Sequence, residues 1–215
     1  MTAKRSSRKN PRNFSATQLQ SPETLPPDEL AERRARMETE ATERNRRLGH
    51  DLLMEGARLL SQRRPAEAAE KLEKAAALLP DDVDVAINLA GAHILQRRYN
   101  KAVPILERAS DLAPTNAMVW INLAAAHLGR LELSGSEQQE RAIAAYERAL
   151  ELDPRAPHVH YNLGLIYKDR NDWPSAQAQF RQALEVNPAD DDARHWLDQL
   201  AALEAANREA VASDQ

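Results

Sequence analysis

The chain has 215 residues and a formal net charge of −4, with no cysteine and only 4% aromatic residues. Without cysteine it forms no disulfide bond and no thiolate metal site, which favours a reducing, cytoplasmic location. No apolar stretch reaches the roughly 18 residues of a membrane span, so we expect no contact with the membrane interior. The charged N-terminus also lacks the apolar stretch of a secretory signal. Abundant Ala, Leu, Glu and Arg favour helices.

The N-terminal part divides into a tail and a helix. Residues 1–27 hold five basic residues and one acidic residue among Ser, Pro and Asn, a local net charge of +4. Their few large apolar side chains cannot offset the entropy of ordering, so we predict a disordered basic tail. Residues 28–48 are mostly charged, with Glu–Arg pairs four residues apart and a thin apolar stripe, which predicts a leader helix. We interpret it as a solvated helix, with self-association as the alternative.

A recurring unit of two short amphipathic helices and a closing proline organises the rest of the chain. The closing prolines are spaced by 34, 40 and 34 residues: Pro80, Pro114, Pro154 and Pro188. A period of this size is typical of solenoids built from helix pairs. The predicted segments are four repeats at 49–82, 83–116, 117–156 and 157–190 (together 49–190), a capping helix at 191–211 and a disordered end at 212–215.

Inside each repeat, the residue pattern resembles that of the tetratricopeptide repeat family. That family has a large residue at repeat position 4, Leu at 7, a small residue at 8, an aromatic at 11, Ala at 20 and 27, and Pro at 32. Position 8, for example, is small in all four repeats: Gly56, Ala90, Ala124 and Gly164. The resemblance implies an all-α, right-handed α-solenoid of four helix pairs, with an N-terminal leader helix and a C-terminal capping helix.

Three departures from the family pattern stand out. Glu55 replaces Leu at position 7 of the first repeat, and His93 and His127 replace the aromatic at position 11 of the middle repeats. The third repeat has six extra residues, which fall within 131–140. Because that segment contains Ser-Gly-Ser, we predict a flexible loop between its two helices.

No pattern in the sequence indicates catalysis. There is no HExxH, no Gly-rich phosphate loop and no Gly-x-Ser-x-Gly motif. His158 and His160, two residues apart on a helix, would not converge on one ion. We expect His93 and His127 to be semi-buried packing residues. We therefore predict that the protein is not an enzyme and holds neither a metal ion nor a cofactor.

The candidate binding site follows from the resemblance, since the first helices of these repeats line a peptide-binding groove in relatives. Asn88, Asn122 and Asn162 share position 6, and some family members use such an asparagine ladder to bond a peptide backbone. An amide can donate and accept together, although the repeated Asn can equally be family consensus. The predicted apolar residues around the ladder are Ile87, Ile94, Met118, Ile121, Leu128, Tyr161 and Leu165.

These features predict an interaction scaffold that binds a peptide or helix of another protein. Relatives that clamp a C-terminal carboxylate have Lys at position 5, where this chain has Ile87, Ile121 and Tyr161, so we do not expect that ligand. The main alternative is tethering to nucleic acid or another acidic surface through the basic tail. We give it less weight because the remainder of the chain carries a net charge of −8. Formation of homo-oligomers through the leader helix is the third possibility.

Overall fold

A computed structural model describes the backbone of residues 26–213 and the side chains of residues 26–205. Over these residues the protein is helical and contains no strand. The helices are α1 (Pro27–Ser61), α2 (Pro65–Leu78), α3 (Val83–Leu95), α4 (Tyr99–Leu112), α5 (Ala117–Leu128), α6 (Ser136–Leu152), α7 (Val159–Asp169), α8 (Trp173–Val186) and α9 (Asp191–Ser213). Of the segments predicted to be disordered, 1–27 and 212–215, residues 1–25 and 214–215 lie outside the described residues. Pro27 and residues 212–213 belong to helices, so the prediction was wrong at these positions. None of the described helices is long and apolar enough to cross a membrane.

The chain divides into two compact units, which meet at residues 44 and 45. In the first unit, the described residues form the beginning of α1, and all of their side chains are exposed except that of Leu30, which is half-buried. The second unit contains the remainder of α1 and the helices α2 to α9. There each helix packs against its neighbour in the chain, and α3 also packs against α5.

Side-chain caps and a recurrent turn define the helix pairs. Asp82, Asn116 and Asp190 each accept a backbone N–H two or three residues ahead, at 2.9–3.0 Å, and thereby begin α3, α5 and α9. Between the two helices of repeats 1, 2 and 4, one residue has a positive φ of 58–59°. The next residue donates its N–H back to the last turn of the first helix, as Arg98 does to His93 at 2.8 Å. These local devices reverse the chain and set up the antiparallel pairs.

Three apolar clusters follow one another along the second unit. The first joins α1, α2 and α3, the central one joins α3 to α7, and the third joins α8 and α9. Small residues at position 8 permit close helix approach. A Cβ at Gly56 would lie 2.5 Å from Leu72, and one at Gly164 would lie 2.6 Å from Phe180. Each helix pair therefore buries its apolar face against adjacent pairs, as expected of a repeat protein.

The predicted loop between the helices of the third repeat contains local structure. Leu131–Leu133 forms a short 3-10 helix, and α6 has 17 residues, three more than α2, α4 or α8. Leu131 packs against the central cluster. The buried Gln139 donates from Nε2 to Asp169 Oδ2 of the next repeat at 2.8 Å. The loop lies where it was predicted, between α5 and α6, but its contacts to the next repeat are invisible in a local Ser-Gly-Ser pattern.

Helix α9 packs on the last repeat through its apolar side. Trp196 and Leu197 border the third cluster, whose buried members include Phe180 and Leu200. The ammonium group of Lys168, on α7, lies 4.2 Å from the Trp196 ring centroid, a cation–π contact. These contacts place the apolar side of α9, which includes the predicted capping helix at 191–211, on the fourth repeat.

Candidate protein-binding groove

The candidate groove consists of the ten predicted residues on the first helices of repeats 2, 3 and 4. They are Ile87, Asn88, Ile94, Met118, Ile121, Asn122, Leu128, Tyr161, Asn162 and Leu165. Nine of them are half-buried, and Met118 is 49% exposed. All ten side chains therefore keep some solvent-accessible surface, although the helices that carry them also contribute to the core.

Two sets of groove residues rest on different parts of the core. Ile94, Ile121 and Leu128 border the central cluster, while Tyr161 and Leu165 border the third cluster. Each side chain therefore uses part of its area to stabilise the repeats and leaves part available. A partner that covered the available part would gain roughly 25 cal/mol for each Å² of apolar surface removed from water.

The asparagines of the predicted ladder are only partly free. The Nδ2 amide of Asn88 donates to the Asp84 carbonyl, and that of Asn122 donates to the Met118 carbonyl, both at 2.8 Å. Within the described chain, the side-chain oxygens of Asn88 and Asn122 accept no hydrogen bond. These two residues keep one acceptor and one N–H each for a ligand.

Asn162 has a different role from the other two asparagines. Its side chain acts on the hydroxyl of Tyr146, a fully buried residue of α6. Burial raises the pKa of the Tyr146 hydroxyl to about 12, and Asn162 lowers it against that rise. Asn162 therefore has a polar neighbour in repeat 3, whereas the hydrogen bonds of Asn88 and Asn122 stay within their own helices.

Tyr161 is held in place by two aromatic residues. Its ring centroid lies 5.8 Å from that of Phe180, at an interplanar angle of 58°. Trp196 of α9 also acts on the Tyr161 hydroxyl. Burial raises the pKa of Tyr161, and Trp196 lowers it against this rise. The capping helix therefore fixes the orientation of a groove residue.

The two histidines at position 11 are packing residues. His93 is only 2% exposed, and its Nδ1 atom is buried without a partner. Burial lowers the pKa of both His93 and His127. In the described part of the chain, no three His, Asp or Glu side chains come together as a metal-binding set. Glu55, the other departure from the family pattern, pairs with Lys71 Nζ at 3.1 Å.

Sequence reasoning missed two cavities at the same place in repeats 2 and 4. One, of about 200 Å³, is lined by Ala86, and the other, of about 330 Å³, is lined by His160. Both residues occupy position 4, where repeat 3 has Trp120. The signal was present in the sequence, because the family prefers a large residue at this position and Ala86 has the smallest side chain among the four repeats.

Comparisons with known proteins agree with this architecture. Profiles described as tetratricopeptide repeat match residues 59–126 and 157–190, and one described as TPR repeat matches 136–169. No curated protein sequence matches the chain significantly.

Solved structures of repeat proteins are also similar to this chain. A thermophilic TPR protein of Thermus thermophilus, TTC0263, superposes with a TM-score of 0.63 and 22% identity, covering 76% of this chain and 87% of that one. MamA from Desulfovibrio magneticus RS-1 superposes with a TM-score of 0.58 and 24% sequence identity, covering 66% of this chain and 77% of that one. At these identities the structures support the fold alone. The profile matches and the four helix pairs in series show that the chain belongs to the tetratricopeptide repeat family of protein-interaction scaffolds, and the solved structures support its all-α solenoid fold.

Proposed function

We propose that this protein is a non-catalytic scaffold whose candidate groove binds an extended or helical apolar segment of another protein. The observation that carries this proposal is the row of half-buried aliphatic and aromatic side chains on α3, α5 and α7. Scattered exposed apolar residues are ordinary, but a contiguous set on successive first helices is typical of a binding surface. Ile87, Ile121 and Tyr161 would supply most of the contact area.

Asn88 and Asn122 support the proposal as backbone-binding groups. Each keeps an acceptor oxygen and one N–H after its bond within the helix. A peptide backbone offers both complementary groups at every residue other than proline. Such hydrogen bonds contribute only about 0.5–1.5 kcal/mol each, so apolar contacts would supply most of the affinity. Because Asn162 is engaged with Tyr146, we restrict the ladder to the first two asparagines.

The groove chemistry also favours an apolar ligand over an acidic one. Position 5 holds Ile87, Ile121 and Tyr161, none of which can pair with a carboxylate as a lysine would. Binding should therefore depend little on salt, since no ion pair is required. A cytoplasmic location remains a prediction from the lack of cysteine.

The test is capture of partners from a lysate of the source cell, with identification by mass spectrometry at low and high salt. Met118→Asp and Ile121→Asp place a charge in the groove, and Met118 is exposed enough for its variant to fold normally. Ala144→Asp, at an exposed position of α6, is the matched control. We expect a protein that the wild type and the control retain at both salt concentrations and that both groove variants lose.

Two outcomes would contradict the proposal. Equal capture by the wild type and Met118→Asp would show that the groove is not the binding surface. Nucleic acid captured by every variant and released by salt would instead support tethering by the basic tail, because phosphate contacts are strongly salt-dependent. Circular dichroism of each variant separates loss of binding from loss of fold.

A further inference from the structure

The cavity in repeat 2 lies apart from the candidate groove. Its walls come from the end of α2, the beginning of α3 and the end of α4, and none of its lining residues belongs to the groove. Ala86 of α3 lies at its wall, together with the apolar side chains of Leu79, Val85, Leu89 and Ile105. Leu112 also lines it and is 47% exposed, so the cavity reaches the surface.

Repeat 3 shows what normally occupies this place. Trp120 is the counterpart of Ala86, 34 residues further along the chain, and Pro114 is likewise the counterpart of Pro80. The Trp120 indole packs against the central cluster and donates from Nε1 to the Pro114 carbonyl at 3.0 Å. Pro80 lines the repeat 2 cavity, which therefore has the frame of an indole site but lacks the indole.

The size and chemistry of this cavity suit an aromatic ring. Its volume is about 200 Å³. An aliphatic cavity of roughly 150 Å³ is enough to bind benzene in a protein interior. At the rim, Arg108 pairs with Asp81 at 2.6 Å, so its guanidinium group is already engaged. The ring would thus enter an apolar space beside Pro80, whose carbonyl is the counterpart of the Pro114 carbonyl that accepts from Trp120.

The equivalent cavity in repeat 4 is less suited to such a ring. His160 takes the place of the tryptophan, and its Nδ1 lies 2.8 Å from Gln179 Oε1. The cavity is also lined by the polar residues His158, Asn187 and Asp190. The repeat 2 cavity is therefore the one of the two that has no large side chain at position 4 and a predominantly apolar lining.

We propose that the repeat 2 cavity binds the tryptophan side chain of a partner protein, with its indole N–H donating to the Pro80 carbonyl. The internal counterpart is itself a side chain carried on a helix, and the exposed Leu112 offers apolar surface to the residues beside the incoming tryptophan. This site goes beyond the proposed groove, because it can bind a partner whether or not the groove does.

The test uses the full chain and methyl NMR, with N-acetyl-L-tryptophanamide as the probe and free indole as a second arm. We expect saturable shifts of the methyl signals of Leu79, Val85 and Ile105 with both molecules. Ala86→Trp should abolish the shifts, since the introduced indole occupies the site, and it should raise the melting temperature. Ala178→Trp, at an exposed position of α8, is the matched control and should leave binding unchanged.

Each alternative result has a definite meaning. Shifts that do not saturate, or that persist in a folded Ala86→Trp variant, would overturn the proposal. Binding of indole without N-acetyl-L-tryptophanamide would also overturn it, since only free aromatic molecules would then enter. If Ala86→Trp fails to fold, Ala86→Ile fills part of the cavity; weaker probe binding by that variant supports the proposal and unchanged binding contradicts it.

Discussion

Repeats 2 and 3 have the same framework but fill it differently. Position 7 is a buried leucine in both, Leu89 at 6% and Leu123 at 5% exposure, and position 8 is a fully buried alanine. At position 4, however, Ala86 of repeat 2 lines a cavity, whereas Trp120 of repeat 3 packs against the central cluster. Positions 7 and 8 therefore hold each helix pair together. Position 4 varies between repeats, and its side chain decides whether a cavity forms between neighbouring helices.

The largest effect should come from truncating the two leucines. Both Leu89→Ala and Leu123→Ala should lower the free energy of unfolding by about 2–5 kcal/mol, the usual range for buried leucine. We expect the greater loss at Leu123, because Leu89 already lines a cavity and has fewer packing partners to lose. Urea denaturation followed by circular dichroism measures both. Equal losses, or a greater loss at Leu89, would show that the cavity does not weaken packing in repeat 2.

Trp120→Ala should make repeat 3 resemble repeat 2. The variant loses ring packing and the hydrogen bond to Pro114. Because Trp120 is only half-buried, we expect about 2–3 kcal/mol, below the roughly 3–5 of a fully buried aromatic. The same denaturation experiment measures it, with Ala144→Asp as a surface control. A loss no larger than that of the control would mean that the ring contributes little to the stack.

The free energy of unfolding should depend more strongly on pH in the wild type, which has His93, than in the variant His93→Phe. Burial lowers the pKa of His93 below 6.5, with Lys101 and Arg98 acting in the same direction and Glu73 opposing them. The unfolded chain therefore binds the proton more readily. This contribution to stability is fully present above pH 6.5 and is lost as the pH falls from there towards the folded-state pKa. Unfolding free energies of the wild type and His93→Phe between about pH 8 and pH 5 test this.

The wild type should lose more stability than His93→Phe as the medium becomes acidic. His127 should contribute less, since it is less buried and Glu107 raises its pKa against the effect of burial. Parallel pH profiles for the wild type and His93→Phe would contradict the assignment of the buried imidazole as the titrating group.

The smallest effect concerns the turn between the helices. Repeat 3 has its positive φ two positions earlier and in a different turn, on Gly129 (φ 59°, ψ −115°), whereas Arg97 of repeat 2 has a φ of 59° at the position shared by repeats 1 and 4. A residue with a Cβ costs about 1–2 kcal/mol in the left-handed conformation of Arg97. Glycine avoids this cost but loses more conformational entropy on folding, so only part of the cost is gained as stability. Arg97→Gly should therefore stabilise repeat 2 by roughly 0.5–1 kcal/mol. A thermal melt measures the gain, and a lower melting temperature would refute it.

Much of the fold was predictable because its signals are local and repeated. The spacing of the prolines and the small residues at positions 8, 20 and 27 identify the helix pairs, and the described helices confirm them. A capping helix at 191–211 was likewise predicted, and α9 packs on the fourth repeat. The candidate groove was predicted only as a set of positions, and its role as a binding surface stays a prediction.

The features that escaped prediction depend on contacts between repeats. Gln139 donates a hydrogen bond to Asp169 across a repeat boundary. Asn162 is engaged with Tyr146 and is thereby removed from the proposed ladder. No periodicity within a single repeat can report such a partner, since the two residues lie far apart in sequence and meet only after stacking.

That the chain forms stacked helix pairs follows from the sequence alone. The small and large residues of each pair leave an apolar face, and only another pair can cover it. Only the tertiary structure decided which polar groups are satisfied internally and where the stack is incomplete. The vacancy beside Ala86 is the clearest case, because a missing side chain becomes a cavity only when the surrounding helices keep their positions and do not collapse into it.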